Sequence, residues 1–289
     1  IPKFMVATVA SGLATFGPFV GTKDIIMMHS VADIQGLNFL TVRVLENAAN
    51  AICGMVKNFK DKESKQSSKI PVALSMLGTT TPGALRAKSI LEKHGFECIA
   101  FHQNGTGGIA MEELISEGYF KGVLVGNMHE LADSMVGGLH RSIRDFRLES
   151  AGKMGIPQVI APGSVNYSVQ GPLDTLSESL KNQKYIVHNP NLTLVRLTQE
   201  ELITVAETAA RKLNMATGPI HVSIPLQGFS YPDREGLPHW EPESNQVFID
   251  TLRECLKPSI PFQLIDAHIN DEYFIEQVMK KFLSFMDEC

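Results

Sequence analysis

Gly105, Thr106, Gly107 and Gly108 are the residues whose type and spacing best suit them to chemistry. They lie between an apolar run at 98–102, which reads as a strand, and a run at 109–117, which reads as a helix. A glycine-rich strand-to-helix turn leaves backbone N–H groups bare at a helix N-terminus. There they can bond an anion in the favourable field of the helix dipole. The spacing therefore predicts a phosphate or carboxylate ligand. With Ala110 the turn fits G-x-G-x-x-A, but no acidic residue stands ~20 positions on to hold a ribose, and the absence of G-K-[ST] excludes a P-loop.

Other polar loops follow strand-like runs. Thr79, Thr80 and Thr81 offer hydroxyls beside a second predicted helix start, Asn104 precedes the glycine turn, Gly163 and Ser164 follow a later apolar run, and His188 and Asn189 precede Pro190. In an open parallel sheet such loops gather at the carboxyl edge, where ligands bind. Each loop alone also has a structural reading, with Thr81 as an N-cap and the glycines relieving crowding. Several on one edge favour a binding crevice. Glu112 and His188 are the candidates for acid–base chemistry, against the plainer readings of a dipole-complementing carboxylate and a structural histidine. His102 and His129 rank behind His188, residues 268–271 read as a strand end and helix N-cap, and no metal-ligand spacing or nucleophile–base set stands out.

The elements that must position these loops alternate as an α/β fold with a largely parallel sheet and helices on both faces. Strands are predicted at 4–9, 24–28, 71–77, 98–102, 122–125 and 158–161, with runs at 185–187, 220–224 and 263–267 extending the same sheet. Helices are predicted at 37–59, from Pro82, after the glycine turn, and at 128–136, 198–213, 245–256 and 270–286. Ala48, Ala49, Ile52 and Met55 share one face of the first of these, and the polar stretch 61–68 reads as a linker. That linker separates a first α/β unit, 1–60, from a second, 70–289.

A net charge of −5 argues against non-specific nucleic-acid binding. No apolar run reaches the ~20 residues that span a bilayer, and nothing resembles a signal peptide, so no membrane partner is expected. Cys53, Cys98, Cys255 and Cys289 are scattered, three of them in apolar runs, which points to reduced thiols in a cytoplasmic protein's core. The start at Ile1-Pro2 reads as an interior point of a longer chain.

A series of segments in one order carries a family resemblance: Thr8-Val-Ala-Ser-Gly12, Ser30-Val-Ala-Asp-Ile-Gln-Gly-Leu-Asn38, Asn47-Ala-Ala-Asn-Ala-Ile-Cys-Gly-Met55, Thr80-Thr-Pro82, Phe101-His-Gln-Asn-Gly-Thr-Gly-Gly-Ile-Ala-Met-Glu112, Glu130-Leu-Ala-Asp133, Gly137-Gly138 and His188-Asn189. Over nearly the whole chain this resembles the ATP-binding domain family typified by the tomato mosaic virus resistance protein. The resemblance implies two Rossmann-like halves around a nucleotide crevice, often beside a TIM-barrel-like partner domain, with residues 1–60 as the closing portion of the first half, 70–289 as the second, and most of the first half lying outside this chain. It also implies exposed apolar surface on the helix at 37–59. The chain departs from the pattern at Val125-Gly-Asn-Met-His129, where the family tends to have Asp and a run of threonines, at Gly163-Ser-Val-Asn-Tyr167, and at Gln183 in place of an arginine.

Three functions are therefore expected as rivals. In the first, the crevice binds ATP or a related phosphorylated ligand with Mg²⁺, held by Thr79, Thr80, Thr81, Asn104, Gly105, Thr106, Gly107, Gly108, Gly163, Ser164, His188 and Asn189. The second is an enzyme acting on a small carboxylate or sugar phosphate through His188 or Glu112. The third is an interaction module with the nucleotide as structural cofactor, meeting a partner domain or a second copy in a homo-oligomer.

Overall fold

In the computed structural model, residues 1–8, 17–59, 68–142 and 145–287 are described. The motif beginning at Thr8, most of the 61–68 linker and Cys289 thus lie outside the described residues. The chain divides into two compact units, 1–66 and 67–289.

In the first unit, β1 (Phe4–Ala7) and β2 (Ile26–His29) pair in parallel, and the short α1 (Gly17–Val20) lies between them in the chain. The helix α2 (Phe39–Asn58) starts at a capping box. Asn38 Oδ1 accepts from the Leu40 and Thr41 amides at 3.0 Å, and Thr41 Oγ1 accepts from the Asn38 amide at 2.9 Å. Thr41 and Ala48 are buried and Val44, Ile52 and Met55 half-buried, a helical stripe, while Phe39, Leu40, Val42, Leu45 and Val56 are exposed.

The second unit is built on six parallel strands, β3 (Ile70–Met76), β4 (Phe96–His102), β5 (Gly122–Val125), β6 (Gln158–Ile160), β10 (Ile220–Pro225) and β11 (Phe262–Ile265), in the spatial order β11-β10-β6-β5-β3-β4. Central strands buried on both faces read as continuous apolar runs, which is why the sequence revealed them. Val72, Leu74, Leu124 and Val159 pack with α3 (Thr81–Lys93) and α10 (Glu272–Asp287) on one face. Ala73, Val123, Val125, Ile160 and Val222 pack on the other with α4 (Gly107–Ser116), α5 (His129–Val136), α6 (Ser150–Met154), α8 (Gln199–Leu213) and α9 (Pro242–Cys255).

One predicted strand is placed differently. The run at 185–187 belongs to β8 (Tyr185–Asn189), which does not extend the parallel sheet. It pairs antiparallel with β9 (Leu192–Arg196), which pairs with β7 (Tyr167–Gln170), in a separate three-stranded sheet; the short α7 (Glu178–Lys181) lies between β7 and β8. A two-residue connection at Pro190-Asn191 allows only a hairpin, since a parallel neighbour needs a long crossover. The cysteines also differ from expectation: Cys98 is buried, but Cys53 and Cys255 are exposed. Burial pushes the Cys98 thiol up to about 11, which leaves it unreactive at neutral pH. Among the described residues no helix is long and apolar enough to cross a membrane.

Phe248 is fully buried in the larger core and meets Phe229 edge-on at 5.4 Å between ring centroids. Phe248→Ala is expected to cost about 3–5 kcal/mol, checked by urea unfolding.

Candidate functional site

The strand order marks a candidate place for a ligand. After β3 the chain runs to α3 on one face, whereas after β5 it runs to α5 on the opposite face. The loops between these neighbouring strands diverge, which is the switch point at which open α/β sheets hold ligands. Ser75 ties the two loops together: its hydroxyl bonds the Asn127 carbonyl at 2.9 Å and accepts the Asn127 amide at 3.1 Å.

A cluster of hydroxyl and amide groups fills this point. Thr79 Oγ1 lies 2.7 Å from Ser164 Oγ and 2.8 Å from the Tyr167 hydroxyl, and Asn127 Nδ2 donates to Ser164 Oγ at 2.9 Å and to Thr80 Oγ1 at 3.1 Å. Ser164 adopts φ 57°, a left-handed conformation unusual for a residue with a Cβ. It is held there by its amide donating to the Phe229 carbonyl at 2.7 Å and by Met128 donating to the Gly163 carbonyl at 2.9 Å. A side chain at Gly163 would overlap the Gly126 carbonyl and Thr80, so glycine lets the β6 loop lie against the β5 loop. The Asn166 side-chain amide is fully buried with neither polar atom partnered, and burial pushes the Tyr167 hydroxyl up to about 12.

The glycine turn holds an anion, but one from the chain itself. Glu130 Oε1 accepts the Gly105 amide at 2.7 Å and the Gly108 amide at 3.0 Å. A Cβ at Gly108 would overlap the Glu130 carboxylate and one at Gly107 the His102 carbonyl, so the glycines serve a close internal approach. Arg147 completes the lock. Its Nε donates to Gln103 Oε1 at 2.9 Å and lies 3.5 Å from Glu130 Oε2, and its Nη1 donates to Glu112 Oε1 at 2.7 Å. Burial pushes the Glu130 carboxyl up, against the pull of Arg147 and the two amides.

Glu112 therefore does not face the crevice. Its oxygens accept from Arg147, from the Leu148 amide at 2.6 Å and from the Ser150 amide at 2.8 Å. His188 is exposed and is the extra residue of a β-bulge, since Val187 pairs with Thr193 and Asn189 with Leu192, so it lies on the small antiparallel sheet instead of the carboxyl edge of the parallel one. Asn189 Oδ1 accepts the Asn191 amide within the same hairpin. Thr81 is inside the first turn of α3, its hydroxyl on the Leu77 carbonyl at 3.1 Å, and Asn104 Oδ1 accepts from the Thr106 hydroxyl and the Gly107 amide. The helix start of α3 is also met from within, by Asn270 Oδ1 on the Gly83 amide at 3.1 Å.

His129, which ranks behind His188 in the sequence, is the one of the two that stands at this edge. His129, first in α5, stacks on Tyr167 at 4.8 Å and meets His140 edge-on at 5.4 Å. With Asp133, one turn along α5, they form a set whose ligand atoms all lie within 4.8 Å of one another. The spacing His129-x-x-x-Asp133 was the available signal. His140, beyond the end of the helix, closes the set only through the folded chain. Burial and the neighbouring His129 hold the His140 imidazole down at about 4. His239 packs on Tyr167 at 6.0 Å, and burial beside Arg196 holds it at about 4 as well.

Comparison with known proteins matches residues 1–61 to the N-terminal domain and 69–286 to the C-terminal domain of an uncharacterised protein family, UPF0261. A UPF0261 protein of Clostridium tetani is 41% identical over 289 residues, covering all of this chain and 70% of that protein. One from Mesorhizobium japonicum is 34% identical over 96% of this chain and 69% of its own length. The tomato (Solanum lycopersicum) ToMV resistance protein Tm-1(GCR237) is 33% identical over 98% of this chain, which spans 38% of that longer protein.

Gly107→Ala is expected to cost about 3 kcal/mol or more, because the clash is with backbone, whereas Gly118→Ala, at φ 81° in open space, is expected to cost about 1 kcal/mol; denaturant midpoints check the contrast. The lowered His239 pKa gives a signed pH effect. The fold favours the neutral ring, so this stability is present above about 6.5 and is lost as pH falls towards about 4. His239→Phe is expected to flatten the fall in melting temperature across that window relative to the unaltered protein.

Proposed function

The chain belongs to the UPF0261 family, and on that premise we propose that its second unit binds a small polar ligand at the switch point between β3 and β5, a nucleotide with Mg²⁺ being the ligand class. The observation that carries this reading is the hydroxyl triangle of Thr79, Ser164 and Tyr167, built around a serine at positive φ. Strained non-glycine backbone collects at sites where a side chain must point in an otherwise unfavourable direction. The unpartnered amide of Asn166 supports the same place, since buried polar groups are seldom left without a partner.

In this reading the ligand's polar groups meet Thr79, Ser164 and Asn127, and its phosphates lie over Gly78 and Thr79 in the turn before α3. The Gly105–Gly108 turn is a structural lock, because a phosphate there would have to displace a carboxylate already paired with two amides and an arginine. Neither lysine nor arginine stands in the 78–81 loop, so Mg²⁺ supplies the neutralising charge. A second reading rests on α2, whose exposed Phe39, Leu40, Val42, Leu45 and Val56 suit contact with another protein surface, such as a partner domain or a second copy.

Isothermal titration with Mg-ATP tests the ligand. Saturable heat is expected, with Thr79→Val binding about tenfold more weakly, the equivalent of one lost hydrogen bond. No heat, together with an unchanged melting temperature at millimolar Mg-ATP, would overturn the nucleotide reading.

A further inference from the structure

His129 is fully buried, and both of its ring nitrogens face oxygen. Nδ1 lies 3.3 Å from the Ser164 carbonyl and Nε2 lies 3.5 Å from Asp133 Oδ2, with no hydrogen bond made at Nε2. A neutral imidazole carries one proton. If it sits on Nδ1 and is donated to the carbonyl, the Nε2 lone pair points at a carboxylate. If it sits on Nε2, the Nδ1 lone pair points at a carbonyl. Each tautomer leaves one repulsive contact inside the protein. A cation between Nε2 and Asp133 removes it.

His140 supplies the third donor. Its Nδ1 is buried and without a partner, while its backbone amide donates to Asp133 Oδ2 at 2.8 Å and so fixes the loop against the carboxylate. The other carboxylate oxygen accepts the Val169 amide at 3.0 Å. These second contacts are what metal-binding side chains require: a carbonyl orienting one imidazole and amides orienting the carboxylate. On a tetrahedral ion with bonds of about 2.0–2.1 Å, ligand atoms lie roughly 3.3 Å apart. The His129–Asp133 separation of 3.5 Å already fits, and the donor atom of His140, half-buried on a loop, lies within 4.8 Å of both.

We propose that His129, Asp133 and His140 form a mononuclear site for a divalent transition metal of the zinc type, with one position left for water or a ligand atom. Two imidazoles and a carboxylate favour such metals over Mg²⁺ or Ca²⁺, which take mostly oxygen. Three protein ligands with an open fourth position are the pattern of reactive rather than purely structural zinc. The site adjoins Tyr167 and Ser164, but its three ligands are residues that the nucleotide reading does not use, and its test needs no nucleotide.

The full chain, stripped with a chelator, is titrated with Zn²⁺ alone and with Co²⁺ as a spectroscopic probe. One equivalent is expected to bind, to raise the melting temperature and to give the visible bands of tetrahedral Co²⁺. His140→Ala is expected to weaken Zn²⁺ binding at least about a hundredfold and to abolish the Co²⁺ bands, whereas His94→Ala, at the end of α3, changes neither. X-ray absorption on the Zn²⁺-loaded unaltered protein reads the ligands directly, whatever becomes of the variants: two imidazoles with oxygen are expected. No binding, unchanged affinity in His140→Ala, or sulfur in the metal's shell would overturn the proposal.

Discussion

The carboxyl edge of the large sheet is organised around one buried cation. Arg147 is almost wholly removed from water and reaches Gln103 after β4, Glu130 in α5 and Glu112 in α4. A guanidinium has five donors in a fixed plane, so it can join several chain segments at set angles where a lysine could not. Removing one member of such a buried set typically costs about 3–5 kcal/mol, because the others are left without compensation. The glycine turn, the start of α5 and the approach to α6 are consequently fixed as one assembly. Two carboxylates face one guanidinium, and the surplus negative charge is met by the amides of Gly105, Gly108, Leu148 and Ser150.

That assembly changes what the glycine turn is for. Backbone amides at a helix start attract negative charge whatever its source. Here the source is Glu130, tethered in place, so a free phosphate competes against a partner that never diffuses away. The amides that the sequence marks for an external anion bond the chain's own carboxylate instead. One strand inward the loops after β3 and β5 part, and there the hydroxyls of Thr79, Ser164 and Tyr167 converge.

Much of the architecture was legible because parallel strands buried on both faces write themselves as apolar runs, as at Val72–Leu74 and Val123–Val125. The strands β7 and β9 were not, since Tyr167–Gln170 mixes polar and apolar residues, and their identity comes from each other through antiparallel pairing. The site was legible in its residue types and obscure in its pairings. Asn104–Gly108 announced an anion, but nothing local says that a carboxylate 22 residues beyond Gly108 will fold back to fill the turn. Glu112 and His188 attracted attention by position, yet one is tied to Arg147 and the other stands out on a bulge. His129 and His140 looked ordinary because their meeting depends on the chain reversing after α5.

Ser164 shows stability and side-chain chemistry pulling in opposite directions at a single position. At φ 57° glycine would sit with less strain than serine, by an amount of order 1 kcal/mol, so the exchange that relaxes the backbone also deletes the hydroxyl shared by Thr79 and Asn127. A chain selected for robustness alone would drift towards glycine there and lose the apex of the triangle. Retaining an oxygen at that corner makes this loop a place where hardening the protein and preserving its hydroxyl contacts are competing goals.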